Sequence, residues 1–232
     1  MSILSKIERG IRGAMESVFG RAFGGGLQPT EIRRRLMTEA TASERAAEGG
    51  SRVANYFTVD LCPSDMEGLG PDLPILGADL IEQLEDRAHD SGWETEGPFD
   101  IRFQEHRGYA TGQFDVRAEW RGGVPGLRVE VEAGPDKGQT FEVAANGADI
   151  GRDPDCAVAL TDTDVSRRHA SLVARGWRVD LRDLGSTNGT FLQGRRVEDT
   201  PLPRSANVEV GRSRLSVTRS RPVWEDRGDN GV

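Results

Sequence analysis

Residues 165–191 read VSRRHASLVARGWRVDLRDLGSTNGTF, with two short runs of alternating apolar and polar side chains between two polar segments. Alternation with a period of two is typical of β-strands that bury one face. The polar segments on either side are then loops that the strands hold in place. The predicted buried positions of the two runs are Leu172, Ala174, Trp177, Val179 and Leu181.

The same alternation continues on both sides, across residues 127–219. Turn sequences separate some of the runs, such as Gly-Pro-Asp-Lys-Gly at 134–138 and Asn146-Gly147. Short strands about ten residues apart, with turns between them, predict an all-β sandwich. Its further apolar positions are Leu127, Val129, Val131, Phe141, Val143, Val158, Leu160, Phe191, Val197, Val208, Val210, Leu215 and Val217.

The first 120 residues mix helical and strand patterns, which predicts a small α+β domain whose topology the pattern leaves open. The last two strands are expected to be antiparallel neighbours joined near Gly108. The predicted elements are a helix over 1–19, a helix from Pro29 through Ala40, a strand over 56–61, a helix over about 77–90, and strands around 99–103 and 114–118.

Residues 121–126, Arg-Gly-Gly-Val-Pro-Gly, separate the two patterns. Glycine and proline in a short run predict a flexible linker, and its few residues keep the two domains close together. The expected organisation is an α+β domain over residues 1–120, the linker over 121–126, the sandwich over 127–219 and a flexible tail over 220–232.

Charge and composition exclude several classes of protein. The formal net charge is −8, and residues 1–125 alone carry 14 basic against 21 acidic side chains, so no broad surface for nucleic acid is expected. Cys62 and Cys156 match neither a metal-ligand spacing nor a disulfide framework, which favours a reducing compartment. Since no segment approaches 18 consecutive apolar residues, we expect a cytoplasmic protein.

The titratable side chains do not suggest an enzyme. The three histidines, His89, His106 and His169, have no cysteine or carboxylate spacing typical of a metal site or a catalytic triad. No GxxxxGK[ST] segment that would bind a nucleotide phosphate occurs. We therefore expect no catalytic residues, no metal and no cofactor.

Three polar segments of the sandwich resemble the signatures of the forkhead-associated (FHA) domain, a phosphothreonine-binding β-sandwich. They are Gly151-Arg152, then Ser166 with His169 three residues later, then Asn188-Gly189. In this order the three segments span the predicted sandwich at the spacing of that family. The resemblance implies that their loops together bind a phosphothreonine peptide.

The resemblance implies a binding role for five residues. A phosphothreonine carries about −1.5 to −2 charges and three acceptor oxygens, which a guanidinium, a hydroxyl and N–H groups can satisfy. Arg152 would supply the guanidinium, Ser166 the hydroxyl and an amide, and Arg167 a second cation. Thr187 would contact the phosphothreonine and Asn188 the peptide backbone. A pocket for the γ-methyl group explains the family's preference for threonine over serine.

Other residues of these loops have structural roles by the same resemblance. Gly151 and Gly189 would permit the backbone geometry, and His169 would brace the loops by hydrogen bonds without touching phosphate. Arg168 is expected to face solvent, and Trp177 and Phe191 to lie in the core. Asp164, two residues before the serine, is expected to disfavour an acidic residue three places after the phosphothreonine.

The first 120 residues resemble the N-terminal domain of actinobacterial FhaA-type proteins. The similar segments are residues 1–40, DSGWETEGPFDIRFQEH at 90–106 and TGQFDVRAEW at 111–120. The resemblance implies phosphothreonine-dependent partners in Ser/Thr kinase signalling of cell-wall growth, among them the kinase and the phosphorylated intracellular domain of a flippase-like protein for cell-wall precursors. Thr111 would be a phosphoacceptor, or equally a turn residue, and its phosphorylation would allow self-association.

Two other functions remain open at this point. The helix over residues 1–19 has one apolar stripe and would suit a structural or membrane-surface assembly protein. Binding of nucleic acid through the glycine loop at 24–26 is the weaker alternative, because the first domain has a net negative charge.

Overall fold

The computed structural model describes residues 27–47 and 50–225 of the 232-residue chain. The helix expected over residues 1–19 and the glycine loop at 24–26 lie outside the described residues. Among the described helices, none is long and apolar enough to cross a membrane.

Three helices belong to the first domain: α1 at Pro29–Ala42, α2 at Pro63–Leu69 and α3 at Leu73–Ser91. The carboxylate of Glu31 accepts a hydrogen bond from the backbone N–H of Gln28 and so caps the start of α1. Helix α3 ends at Gly92, whose φ of +65° is the left-handed conformation common after a helix. The helices predicted from Pro29 and over 77–90 are therefore present, and α3 begins four residues earlier than expected.

Strand β3, Tyr56–Leu61, is the centre of the main sheet of the first domain, between β5 at Asp100–Glu105 and β6 at Phe114–Glu119. It pairs parallel with β5 and antiparallel with β6. The expectation that β5 and β6 are neighbours is therefore wrong. All six residues of β3 are buried, and a strand covered on all sides takes the central position.

Three shorter strands form a second small sheet in this domain. Strands β1 at Arg45–Ala47, β2 at Gly50–Arg52 and β4 at Trp93–Glu94 have the order β1-β2-β4. The helices pack against the main sheet, so the first domain has one core. Its fully buried side chains include Ile32, Leu36, Phe57, Val59, Leu61, Leu76, Leu80 and Leu84.

The second domain is a sandwich of a five-stranded sheet, β10-β9-β11-β12-β15, and a six-stranded sheet, β14-β13-β16-β17-β7-β8. The alternating apolar residues of both sheets face each other in one core, as the sequence predicts. The strands are β7 Gly123–Ala133, β8 Thr140–Ala144, β9 Asn146–Gly151, β10 Val158–Ala159, β11 Ala170–Arg175, β12 Arg178–Asp183, β13 Thr190–Leu192, β14 Arg195–Val197, β15 Asp199–Pro201, β16 Ser205–Val210 and β17 Ser213–Trp224.

The segment expected to be a flexible linker is held in place. Strand β7 begins at Gly123, which pairs with Trp224 at the end of β17. The buried side chain of Asn55 accepts a hydrogen bond from the Arg121 N–H and donates one to the Arg121 carbonyl, both at 2.9 Å. Residues 220–224, expected to belong to a flexible tail, are likewise part of β17. The connection is fixed because one end bonds to the buried Asn55 and the other is part of β7.

The two domains pack against each other. Trp177, predicted in the core of the sandwich, instead lies half-buried against the core of the first domain, where its ring centroid is 6.2 Å from that of Phe99. Phe191, also predicted as core, is only half-buried on β13. Arg204 of the second domain forms an ion pair with Glu85 of α3 at 2.8 Å. Apolar and charged contacts thus join the domains.

Candidate functional site

Three loops meet at one end of the sandwich: β9–β10, β10–β11 and β12–β13. The N–H of Arg152 donates to the carbonyl of Ser166 and the N–H of Asp153 to the carbonyl of Arg167, each at 3.0 Å. These bonds bring the Gly-Arg segment against the Ser-x-x-His segment. Gly151 is required there because an added Cβ would collide with the carbonyl oxygen of Arg167.

His169 is fully buried and joins the second loop to the third. Its Nδ1 accepts a hydrogen bond from the Ser166 N–H at 3.1 Å, and its Nε2 lies 3.1 Å from the Gly189 carbonyl. An accepting Nδ1 leaves Nε2 as the N–H donor, so the ring is neutral. Burial lowers the pKa of His169, outweighing the Gly189 carbonyl and the more distant Asp183 and Asp162, which raise it. His169 therefore connects the second and third loops through its two ring nitrogens.

Asp183, which the sequence did not single out, organises the third loop. Its carboxylate accepts hydrogen bonds from the Gly185 and Ser186 N–H groups at 3.0 Å and from the Ser186 and Thr190 hydroxyls at 2.6 Å. Burial alone would raise the pKa of Asp183, but these four donors hold it below its ordinary value. An aspartate three residues before a serine at a loop start is the signal that could have identified it.

The exposed face of the three loops presents donors without internal partners. Arg152 and Arg167 are exposed, and within the described part of the chain neither guanidinium has an ion-pair or hydrogen-bond partner. The Ser166 Oγ accepts a hydrogen bond from the Thr187 N–H at 3.2 Å, so its own O–H remains a donor. The structure thus brings Arg152, Ser166, Arg167 and Thr187 together.

Asn188 extends this face toward the β10–β11 loop. Its Nδ2 donates to the carbonyl of Asp164 at 2.7 Å, and the side chain is exposed. The adjacent Gly189 has a φ of +83°, and a Cβ there would lie 2.7 Å from Nε of Arg196. Arg196 is exposed beside the site and adds a third cation that the sequence pattern did not reveal.

Arg168 differs from its neighbour Arg167, because its guanidinium pairs with Asp149 at 2.6 Å. The carboxylate of Asp149 supplies the hydrogen bond and the negative charge that raise the pKa of Arg168. Arg168 is exposed but already paired, so it is not one of the free donors of the site.

Asp164 is also paired. The Nε of Arg212 lies 3.0 Å from its carboxylate, and the same guanidinium reaches the fully buried Asp162. One guanidinium thus pairs with two carboxylates, so the three groups together keep one negative charge. The expectation that Asp164 disfavours an acidic residue three places after the phosphothreonine therefore stays a prediction.

Thr111 lies far from these loops, in the turn between β5 and β6 of the first domain. It is exposed, and its Oγ1 is 2.9 Å from the Oγ of Ser64. The neighbouring N–H of Gly112 donates to the carboxylate of Asp65 at 2.7 Å. The turn is thus ordered by side-chain hydrogen bonds and leaves the threonine hydroxyl near solvent.

The first domain packs at the end of the sandwich opposite the three loops. Strand β11 begins at Ala170, beside His169, and ends at Arg175; a Cβ on the following Gly176 would collide with Thr95 of the first domain. Strand β17 likewise runs from Ser213, which bonds Asp162 near the loops, to Trp224, whose ring meets Tyr56 edge-on. The loop face is therefore not covered by the first domain.

Both halves of the chain match known protein families. Residues 4–117 match the family of the FhaA N-terminal domain. Residues 130–220 match a family described as the cytoplasmic domain of the inner membrane component of T3SS, a match that covers the sandwich only.

Individual relatives match part of the chain. The chain is 35% identical over 100 residues to the glycogen accumulation regulator GarA of Mycolicibacterium smegmatis, covering 43% of this chain and 63% of that protein. It is 29% identical over 116 residues to the FHA domain-containing protein FhaA of Mycobacterium tuberculosis, covering 50% of this chain and 22% of that one. The chain therefore spans only part of the length of these relatives.

Two solved structures resemble the two halves. The crystal structure of the FhaA FHA domain complexed with the intracellular domain of Rv3910 is 32% identical with a TM-score of 0.36, covering 39% of this chain and 98% of that one. The structure of the N-terminal domain of Rv0020c is 30% identical with a TM-score of 0.40, covering 44% of this chain and 79% of that one.

The β-sandwich that presents Gly-Arg, Ser-x-x-His and Asn-Gly from three loops at one end is an FHA domain. Residues 4–117 before it match the FhaA N-terminal domain, so the order of the two domains resembles that of FHA-domain proteins of the FhaA type.

Proposed function

We propose that this protein is a phosphothreonine-dependent adaptor, a binding protein without catalytic activity. The observation that supports this best is the pair of exposed guanidinium groups, Arg152 and Arg167, which have no acceptor among the described residues and belong to the loops that meet at Ser166. Cations held on rigid loops without a carboxylate partner are suited to a dianionic phosphate. The backbone bonds from Arg152 and Asp153 fix the loops before any ligand arrives, which lowers the entropy lost on binding.

The five residues predicted to bind have distinct tasks in this proposal. Arg152 and Arg167 neutralise the phosphate, and the Ser166 hydroxyl donates to one of its oxygens. Thr187 and Asn188, on the third loop, contact the threonine and the main chain of the peptide. Gly151, His169 and Gly189 hold the loops and touch no ligand.

The proposed partners are Thr-phosphorylated proteins of a Ser/Thr kinase pathway that controls cell-wall growth, including the kinase and the phosphorylated intracellular domain of a flippase-like protein. The protein would work in the cytoplasm, and such partners would recruit it to the inner face of the membrane. The loop face, open at the end away from the first domain, supports capture of large partners.

The matched pair Arg152→Ala and Arg168→Ala tests the site. Both remove an exposed arginine from neighbouring loops, but only Arg168 already has a partner, Asp149. We expect Arg152→Ala to weaken binding of a phosphothreonine peptide library, measured by calorimetry, by about 10- to 100-fold, because a charge-assisted hydrogen bond contributes about 1.5–3 kcal/mol.

In the same titration Arg168→Ala should bind like the wild type, and matched phosphoserine and unphosphorylated libraries should bind weakly or not at all. Equal losses in the two arginine variants would contradict the proposed geometry. Failure of the folded wild type to bind any phosphothreonine peptide would refute the function itself.

Phosphorylation of Thr111 is proposed as a signal for self-association between copies. The turn of Thr111 joins the ends of β5 and β6 that lie beside Leu61, whereas Tyr56 at the other end of β3 meets the second domain. Thr111 and the FHA loops are therefore at opposite ends of the folded molecule, so one copy cannot bind its own phosphothreonine. After kinase treatment, Thr111→Ala should stay monomeric in light scattering while the wild type associates; equal association of both would exclude the mechanism.

A further inference from the structure

The two domains enclose a cleft of about 340 Å³ at their junction, remote from the FHA loops. Its walls come from α3 and the start of β5 in the first domain, and from the β11–β12 turn, the β15–β16 loop and the end of β17 in the second. A volume of this size is in the range of small-molecule sites, which often lie between domains. The residues that matter for its chemistry are Ile81, Glu85, Phe99, Trp177, Arg204 and Arg219.

Arg219 has an unusual environment in this cleft. Its Nε and Nη1 are covered by protein atoms, and no hydrogen-bond acceptor among the described residues reaches them. Burial removes the hydration of these donors, and without a hydrogen-bond partner nothing offsets the free energy that this costs. A guanidinium in this state is therefore a strong candidate for an external acceptor.

Arg219 remains charged in this position. Burial lowers the pKa of Arg219 to about 10, while nearby Glu85 raises it and Arg204 lowers it further. At neutral pH the guanidinium is still protonated. A negatively charged ligand would therefore stabilise it.

The charges around the cleft are unbalanced. The ion pair of Arg204 with Glu85 is internally satisfied at 2.8 Å. The remaining charged groups in the wall are two cations, Arg219 and Arg221, and one carboxylate, Asp100. Burial also raises the pKa of Asp100, although Ile101 and the nearby arginines oppose this. The wall therefore lacks one negative charge.

Part of the cleft wall is apolar. The rings of Phe99 and Trp177 lie 6.2 Å apart at an angle of 40°, and Ile81 is beside them. A flat apolar group fits against such rings, whereas a bare inorganic ion would leave this surface unused.

We propose that this interdomain cleft binds a small organic anion, a carboxylate or phosphate on an aromatic or apolar body, with Arg219 as its principal partner. In the present side-chain arrangement Nε and Nη1 are covered, so the anion reaches them when the Arg219 side chain, which itself lines the cleft, rotates toward it. The occupant contacts both domains and therefore stabilises their packing.

The test uses benzoate and phenyl phosphate as charged probes and benzamide as an uncharged one, each titrated into the full chain by calorimetry and thermal unfolding. The variants are Arg219→Met, which removes the charge, and Ile81→Trp, which fills the cleft and keeps it. Arg214→Met is the matched control on the same strand, since Arg214 is exposed and pairs with Glu132. Arg152→Ala removes one cation of the FHA loops and so tests whether the probe binds there.

We expect at least one charged probe to bind saturably and raise the melting temperature, and benzamide to bind at least about tenfold more weakly. Arg219→Met and Ile81→Trp should abolish this, whereas Arg214→Met and Arg152→Ala should bind as the wild type. The preference between the two charged probes separates a carboxylate from a phosphate ligand.

Unliganded Arg219→Met should fold at least as stably as the wild type, because replacing an unpaired buried charge by an apolar side chain of similar volume is often neutral or stabilising. Retained probe binding in Arg219→Met would overturn the proposal, as would the absence of saturable binding at millimolar concentrations. Loss of binding in Arg152→Ala instead would assign the probe to the FHA loops.

Discussion

At the scale of single residues, the neutral His169 makes the stability of the FHA domain depend on pH. Its pKa is lowered in the folded protein, so between that value and the unfolded pKa of about 6.5 the unfolded chain binds more protons. The contribution of neutral His169 to the free energy of unfolding is complete above about pH 6.5. It is lost as the pH falls from there through the pKa of His169 in the folded protein. Urea unfolding at pH 7.5 and 5.5 should show a larger loss for the wild type than for His169→Asn. An identical loss in both proteins would mean that His169 is not buried in its neutral form.

Asp183 gives a second prediction at the residue scale. In Asp183→Asn only one of the two side-chain oxygens remains, so either the Gly185 and Ser186 N–H groups or the Ser186 and Thr190 hydroxyls lose the oxygen to which they donate. We expect a loss of about 1–3 kcal/mol in the free energy of unfolding and weaker phosphopeptide binding. Denaturant unfolding and calorimetry measure the two effects, and an unchanged affinity would show that the third loop keeps its shape without this carboxylate.

At the scale of structural elements, one glycine decides whether the loops between β9 and β11 can meet. In Gly151→Ala the added Cβ collides with the carbonyl oxygen of Arg167, a backbone atom that cannot move without opening the site. We expect a destabilisation of about 1–3 kcal/mol and loss of phosphopeptide binding. Gly68→Ala in α2 is the matched control, because no atom lies within 4 Å of its added Cβ and alanine favours a helix. Similar behaviour of the two variants would show that the loops tolerate a wider separation.

At the scale of the whole molecule, the domains behave as one unit because the connection is a strand and Trp177 packs on the first domain. Trp177→Ala removes a half-buried ring and its contact with Phe99, and we expect about 1–3 kcal/mol less stability and a calorimetric transition that splits in two. Phosphopeptide affinity should not change, because the FHA loops are at the other end of the sandwich. A lower affinity with a single transition would indicate coupling between the interface and the loops.

The order of elements, the alternation of the sandwich strands and the three loop segments could be predicted from the sequence, because each depends on neighbours close along the chain. The central position of β3 could not, since it depends on which elements cover a strand that is buried on every side. The same holds for the ion pair of Asp164 with Arg212, which is distant in sequence, and for the position of Arg196 beside the third loop.

What the sequence alone determined is therefore the two-domain composition and the residue types of the FHA site, which follow from local periodicity and turn chemistry. The tertiary structure decided how these parts are arranged. Part of the expected linker is a strand, and Trp177 lies at the domain interface rather than in the sandwich core. The first domain does not cover the FHA loops. Each of these outcomes depends on burial and hydrogen bonding between residues far apart in the chain, and no local pattern encodes such contacts.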